Sequence, residues 1–404
     1  MSPVDRAAAG RAARAEARHA VRTEIVDPSA FLACEAAFRA LADAAPETNA
    51  FLEPAVLDAA QRADPSVPIV VLLAWDAAPE GRLVGAWAFA RRGGALGRLH
   101  APAVPLGTLA VPVIRAGWAE AVLAEWFARV AADPRLPKVL ELDTVDDAGP
   151  VGAALDRMVA ARRISRRVVA RRRRPMLASD LAPDAYLKQA ISGSRRSKLR
   201  QLRAKLGRQG DLRHVVHEGE AVAAATAQFL DLEAQGWKGR RGTAMLADPR
   251  VDAFVRAALV ALAGRGLAAV SALTLDGRPV SMCLLLRSGG TAFTWKIAYD
   301  EAFGSCSPGY QLALDDTAAL LTDPAVARTD SCASDETGIM AGLWRERADT
   351  SDVFLGARPG RSVRFEAAMA ALMAARLVPE VRRRLRLRTR LKPLLRALRV
   401  RRQG

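Results

Sequence analysis

No uncharged apolar run in this sequence reaches the roughly 20 residues that cross a bilayer as a helix. The start of the chain, Ala7 to Arg22, is rich in alanine and arginine and lacks the apolar stretch of a secretion signal. Both absences point to a cytoplasmic protein. Cysteine is scarce as well. Cys34, Cys283, Cys306 and Cys332 are scattered, with no CxxC pair and no Cys–His spacing of a metal site. No metal is expected, and the four are read as free thiols in a reducing compartment.

What is present begins with length and charge. The 404 residues leave room for two or three domains. The formal net charge of +17 favours an anionic partner, whether nucleic acid, anionic lipid, a phosphorylated sugar or CoA, without choosing among them. The charge is clustered. Arg162 to Arg174 holds eight arginines, Arg195 to Arg213 forms a second basic group, and from Arg376 onward twelve Lys/Arg face the single acid Glu380.

Hydrophobic periodicity predicts a helix over Phe31 to Asp43, a hairpin from Ile69–Trp75 and Leu83–Arg91, and an amphipathic helix over Ala116 to Ala132. A short strand at Val139 to Leu142, a helix at Gly152 to Ala161 and an arginine-studded strand at Val168 to Leu177 follow. Pro183 marks a boundary. Beyond it come a basic helix (Ser194 to Arg208), a strand (Leu212 to His217) and helices at Val222 to Gln235 and Val251 to Ala263. Three strands then run in succession, Ala268–Leu275, Pro279–Arg287 and Thr291–Tyr299, joined by Asp276-Gly277 and Ser288-Gly289-Gly290. A helix opened by Pro308, a strand at Ala327 to Ser331 and a helix at Gly338 to Arg345 complete the pattern. Each half offers helices, an antiparallel meander, a helix and a strand, an α+β alternation rather than a run of βαβ units. The expected division is a basic tail (1–20), a first unit (21–180), a second unit (181–350) and a basic tail (351–404).

The chemically informative stretch is Trp295-Lys296-Ile297-Ala298-Tyr299-Asp300, followed by Ser307-Pro308-Gly309-Tyr310. A strand ends in polar residues, and Pro-Gly opens a helix. Proline suits the first helical turn, glycine admits a ligand close to the backbone, and free N–H groups with the helix dipole favour a phosphate. Tyr299, Ser307, Pro308, Gly309 and Tyr310 are therefore the candidate cofactor-binding residues. A well-started helix with no ligand is the plain alternative.

The order of motifs resembles the GNAT-type domain of CelD/BcsL-like proteins, a family linked by name to cellulose synthesis. The matching residues are Phe229-Leu230-Asp231-Leu232-Glu233, Gly236-Trp237-Lys238-Gly239-Arg240, Gly242-Thr243-Ala244, Asp276-Gly277-Arg278-Pro279-Val280, Trp295-Lys296, Tyr299-Asp300 and Ser307-Pro308-Gly309. Asp330-Ser331-Cys332 and Leu343-Trp344-Arg345-Glu346-Arg347 continue it, so that it spans about Tyr186 to Arg347. The domain is also similar to Fem-type aminoacyl transferases, which carry two GNAT-like units in tandem. The resemblance implies tandem GNAT-like units, each a mixed, mostly antiparallel sheet flanked by helices, the first a degenerate partner that shapes a groove. It departs from the family in lacking the phosphate loop Q/R-x-x-G-x-G/A; only Gly309 stands at the helix start.

The resemblance implies acyl transfer from acetyl-CoA or another acyl-CoA to an amine or hydroxyl of a small molecule or a cell-envelope or polysaccharide precursor. The donor carbonyl would be held by a backbone N–H of the Thr291–Tyr299 strand. Glu233 and Asp300 are the candidate bases, and Lys296 a cationic groove residue. Trp295 and Lys296, adjacent on a strand, are expected on opposite faces. Trp237 and Lys238 are expected to line the acceptor pocket, with Trp295 as a further substrate contact. The plain readings are a solvated helix carboxylate (Glu233), a turn residue (Asp300), a surface lysine (Lys296) and a core tryptophan (Trp237). His214 and His217 fall on opposite faces of a strand, against a shared metal. Two alternatives stay open: a Fem-type enzyme using aminoacyl-tRNA, and an inactive GNAT-fold scaffold at a polysaccharide synthase. The tail Arg382 to Arg402 interleaves leucines at helical spacing with arginines, which suits contact with an anionic membrane face. No specific nucleic acid is expected, since no binding module accompanies the charge.

Overall fold

The computed structural model describes residues 20–78, 81–93, 97–333, 336, 338–372 and 374. The tail 1–19, residues 79 and 80, and the leucine–arginine stretch 382–402 lie outside the described residues.

The strands are β1 (Val21–Val26), β2 (Ile69–Asp76), β3 (Leu83–Arg92), β4 (Arg98–Ala101), β5 (Val113–Ile114), β6 (Val139–Asp146), β7 (Ile164–Leu177), β8 (Leu212–His217), β9 (Ala268–Leu275), β10 (Arg278–Ser288), β11 (Thr291–Tyr299), β12 (Arg328–Asp330) and β13 (Glu346–Pro359). The main helices are α1 (Pro28–Leu32), α2 (Glu35–Ala44), α3 (Pro54–Ala63), α4 (Ala119–Ala132), α5 (Pro150–Ala161), α6 (Pro183–Ala190), α7 (Gly193–Gly207), α8 (Ala221–Gln235), α9 (Trp237–Arg240), α10 (Pro249–Ala263) and α11 (Pro308–Thr322). Local chemistry accounts for many of these ends. Asp248 caps α10 by accepting from Arg250 N at 2.9 Å, with Pro249 at its first position. The Asp276-Gly277 turn has φ of 50° and 78°, the left-handed pair that a two-residue hairpin of this twist requires.

All the strands join one mixed sheet, in the order β1-β2-β3-β4-β6-β13-β7-β12-β11-β10-β9-β8, with β5 beside β3. Each half repeats one scheme. β1 to β4 are antiparallel neighbours and β4 then runs parallel to β6. β8 to β11 are likewise antiparallel, and β11 runs parallel to β12. The fold is thus α+β with two related units, as the alternation of elements implies.

The units exchange strands. β7 follows β6 in sequence and β13 follows β12. Yet β6 pairs with β13, β12 pairs with β7, and β13 and β7 pair with each other along most of their length. The expected boundary between 350 and 351 therefore falls inside β13, and residues 351–359 are sheet rather than tail. Neither 21–180 nor 181–350 closes its sheet alone. Three further differences are local. The helix expected over Phe31–Asp43 is broken into α1 and α2 at 33–34, α3 was not foreseen, and 338–345 holds only a 3-10 turn at Met340–Gly342.

The largest core cluster spans both units. Phe51 of the first packs edge-on against Phe293 and Trp295 of the second, at centroid distances of 6.3 and 5.8 Å. The β10–β11 hairpin tip is pinned to the first unit: Thr48 Oγ1 donates to Ser288 O at 2.7 Å, and Ser288 Oγ to Glu53 Oε1 at 2.7 Å. At the same tip Gly289 is left-handed, and a Cβ there would stand 2.8 Å from Ala42 O.

Candidate functional site

β11 and β12 stay paired for only three rungs, ending at Phe293↔Asp330. Beyond that point the strands part, and the remaining length of β11, Thr294 to Tyr299, has no strand neighbour on that side. On its other side the register with β10 slips by one: Leu284 faces Lys296 while Leu285 faces Thr294, so Trp295 is the extra residue of a β-bulge. A parted parallel pair beside a bulge leaves backbone N–H groups unspent at the opening.

The bulge overturns the expectation that Trp295 and Lys296 face opposite sides. The inserted residue breaks the period of two, and Lys296 comes to lie opposite Leu284, which belongs to the same core cluster as Trp295. Trp295 is only 4% exposed. Its Nε1 donates to Leu106 O at 3.0 Å, and its ring meets Phe254 at 6.3 Å. It is a core residue at the junction of the units, not a substrate contact. Lys296 is half-buried at the opening and, among the described residues, has no ion-pair partner. Burial lowers its pKa, with nearby Lys238 acting in the same direction and Cys332 and Glu233 against it.

Both candidate bases are already committed. Glu233 is buried, not solvated: its Oε1 takes Lys238 Nζ at 2.6 Å and its Oε2 takes Met245 N–H at 2.8 Å. Asp300 caps the turn after β11 through Ala302 N at 2.9 Å and pairs with Arg278 at 2.9 Å. Trp237, by contrast, is 42% exposed. The cations of Lys238 and Arg241 lie 6.0 and 5.0 Å from its ring, and its backbone N–H donates to Glu301 Oε1 at 2.6 Å. Trp237, Lys238, Ile297 and Tyr299 line a shallow hollow of about 30 Å³ at the open edge of β11.

The helix start is less open than its sequence suggests. Ser307 is left-handed (φ 53°), Pro308 and Gly309 are buried, and Tyr310 N and Gln311 N both bond Ser307 O. A Cβ on Gly309 would stand 3.0 Å from Ile339 Cδ1 and 3.4 Å from Tyr299 Cδ1. The space that this glycine leaves is taken by the chain's own Ile339. Arg195 of α7 lies 5.0 Å over the Tyr310 ring and donates to its hydroxyl, closing the same corner.

Sequence reasoning missed two buried polar groups. Arg174 of β7 bonds both oxygens of Asp330 at 3.2 Å, Ala333 O at 3.0 Å and Thr108 O at 2.9 Å. It fixes Asp330, the last rung of the β11–β12 pair, and ties the first unit to the opening through Thr108. Asp316 of α11 accepts from Ser271 Oγ at 2.9 Å and meets His214 Nε2 at 3.0 Å. Here the carboxylate, not the imidazole, is central, so the group is not a nucleophile–base relay. The hydrogen bond raises the pKa of His214, and burial raises that of Asp316. Cys332, beside Asp330, is buried and its thiol is pushed up to about 12 by desolvation, unsuited to nucleophilic use. His100, Glu141 and Asp143 bring ligand-type atoms within 4.8 Å of one another on β4 and β6, but Arg98 already pairs with Glu141.

Comparison with known proteins identifies one domain and the fold. Residues 193–337 match the model of the acetyltransferase (GNAT) domain. No curated protein matches the chain. Among solved structures, FemX is similar with a TM-score of 0.55 at 11% identity, covering 83% of this chain and 96% of that one. A conserved protein of unknown function from Bacteroides thetaiotaomicron is similar with a TM-score of 0.50 at 10% identity, covering 80% and 97%. At such identities the likeness is one of fold. The chain has a GNAT-like fold in tandem, with a GNAT acetyltransferase domain in its second half. Among the described residues no helix is long and apolar enough to cross a membrane.

Proposed function

We propose that this protein transfers an acyl group from acetyl-CoA or another acyl-CoA to an amine or hydroxyl, at the opening between β11 and β12. The observation that carries this reading is the half-buried Lys296, without an ion-pair partner among the described residues, beside a bulge on the strand that parts from β12. The donor carbonyl lies against the backbone N–H groups of the bulged strand. The amine or hydroxyl attacks the carbonyl carbon, the oxyanion that develops is held by those N–H groups and the Lys296 ammonium, and its collapse breaks the C–S bond; the proton that the attacking group sheds passes to Lys296 once Lys296 has protonated the departing thiolate. A lysine whose pKa is lowered by burial is also suited to giving its proton to the departing thiolate.

Glu233 and Asp300 act as positioning groups in this scheme. Glu233 holds Lys238 and the start of the 244–247 turn, and Asp300 fixes the corner after β11. Trp237, exposed beside the open strand edge, and the half-buried Lys238 next to it receive the acceptor. Ser307, Pro308, Gly309 and Tyr310 would meet the donor's phosphates, with Tyr299 at the strand end. The resemblance to CelD/BcsL-like proteins supports an acceptor among cell-envelope or polysaccharide precursors, met in the cytoplasm at the membrane face.

One observation favours a second reading. Ile339 fills the space above Gly309 where a CoA pyrophosphate would approach. An aminoacyl-tRNA donor, as in Fem-type enzymes, needs no pyrophosphate there.

The test is calorimetric titration of the full chain with acetyl-CoA, with polyphosphate as control, together with mass-spectrometric detection of transfer to a panel of amino sugars and amines. Stoichiometric binding stronger than the control, with transfer that Lys296→Met lowers while the melting temperature holds, supports the acyl-CoA reading. Binding equal to the control removes it; transfer from aminoacyl-tRNA alone then establishes the second reading, and no transfer from either donor leaves a scaffold.

A further inference from the structure

We propose that a cavity between α6, α7 and α11 is a second ligand site, taking a phosphorylated nucleoside whose base carries an exocyclic amine. The cavity holds about 330 Å³, the size of a small-ligand pocket. It shares no lining residue with the hollow at the open edge of β11. The proposal therefore does not rest on the transferase reading.

Leu187, Ile191, Leu199 and Leu314 supply apolar walls. Among them stands Gln311, fully buried on the first turns of α11. Its Nε2 donates to Leu199 O at 3.0 Å, which fixes the amide's orientation and leaves Oε1 as an acceptor. That Oε1 is buried and has no donor. Buried acceptors are nearly always satisfied, so the cavity lacks one N–H or O–H that points at Gln311. An exocyclic amine on a flat ring, held between leucines, provides it.

The rim supplies the other half. Arg203 is paired with Asp315 at 2.9 Å, and Arg196 is spent on Lys188 O and Ile191 O at 2.7 and 2.8 Å. Lys188 and Arg200 remain exposed, without an ion-pair partner among the described residues, against the single unpaired acid Asp184. Two free cations beside an apolar slot fit a phosphate joined to a ring.

The experiment is calorimetry of the full chain with adenosine 5′-monophosphate, purine riboside 5′-monophosphate (which lacks the amine) and inorganic phosphate. Adenosine monophosphate is expected to bind one to one, at least about tenfold more tightly than the other two. Leu314→Trp fills the slot and abolishes this binding. Arg200→Glu, on the exposed rim, leaves the melting temperature unchanged and weakens binding by about tenfold or more. Acetyl-CoA added as competitor is expected to leave this binding in place; displacement would make the cavity the nucleotide end of the donor site and overturn a second site. No binding of adenosine monophosphate, binding no better than phosphate, or binding indifferent to both variants overturns the proposal.

Discussion

Arg174 Nη1 stands 3.2 Å from both carboxylate oxygens of Asp330, with the two side chains 3% and 7% exposed. Arg174 belongs to β7, from the first half of the chain, and Asp330 ends β12 in the second. The pair therefore sits where the exchanged strands meet the opening, and the same guanidinium reaches the first unit's loop through Thr108 O.

Removing one partner strands the other charge in a place without water. Arg174→Met is expected to cost about 3–5 kcal/mol in denaturant unfolding, and the double variant Arg174→Met, Asp330→Leu to recover much of it. Equal losses in the single and double variants would show that the pair itself is not what matters.

Lys296 should act as a cation of lowered pKa. Lys296→Met is expected to reduce transfer by about 100-fold with little change in stability. The alkaline limb of the rate profile should begin below the ordinary lysine range, because burial favours the neutral form. Lys296→Arg, which keeps its charge at high pH, should move that limb upward; a limb that stays in place with arginine removes Lys296 from the chemistry.

The two tryptophans once grouped with the substrate should separate cleanly. Trp295→Ala empties a core position and is expected to destabilise by about 3–5 kcal/mol. Trp237→Ala should cost less than about 1 kcal/mol, since its ring is exposed and meets only surface cations, yet raise the KM for the acceptor. Thermal melts and steady-state kinetics on both variants decide this.

Glu53, buried at the contact between the units, has its carboxyl pushed up to about 7 by desolvation, against the opposing hydrogen bond from Ser288. The folded state thus holds this proton more tightly than the unfolded chain. The resulting stability is fully present below the ordinary glutamate range and is lost as pH rises through 7. The loss amounts to about 3 kcal/mol, and Glu53→Gln should flatten it. Parallel pH curves for wild type and variant between pH 5 and 8 would exclude Glu53 as the cause.

Much of the fold was legible because it is local. The hairpins at Ile69–Arg92 and Ala268–Tyr299 announce themselves by β-branched runs around Asp-Gly, Gly-Gly or Gly/Pro turns, and α10 by its apolar spacing and Gly264 at its end, although it starts two residues before the expected Val251. β13 was not legible. Its apolar centre, Val353 to Ala357, finds partners roughly 190 to 220 residues earlier, and no periodicity carries that distance. The bulge at Trp295 was hidden because both residues it places on one side, an indole and an ammonium, suit a half-buried strand. Glu233 and Asp300 were chosen as free carboxylates; what occupies them, Met245 N, Lys238, Ala302 N and Arg278, depends on chain turns that residue types do not reveal. For Trp237 the motif leaves a pocket contact and a core tryptophan both open, and only the packed chain shows that its ring is exposed.

The exchange of β7 and β13 sets a timetable for synthesis. A ribosome that has finished β7 has released every helix that packs on the first unit up to that point, but not the strand that covers the inner edge of β6. That strand emerges roughly 200 residues after β6, a delay of tens of seconds at bacterial elongation rates. Throughout that interval the nascent chain carries an unpaired strand edge of the kind that recruits other chains. Slowed translation between Leu177 and Glu346 should therefore cost yield through aggregation, while the same slowing before β6 should cost nothing.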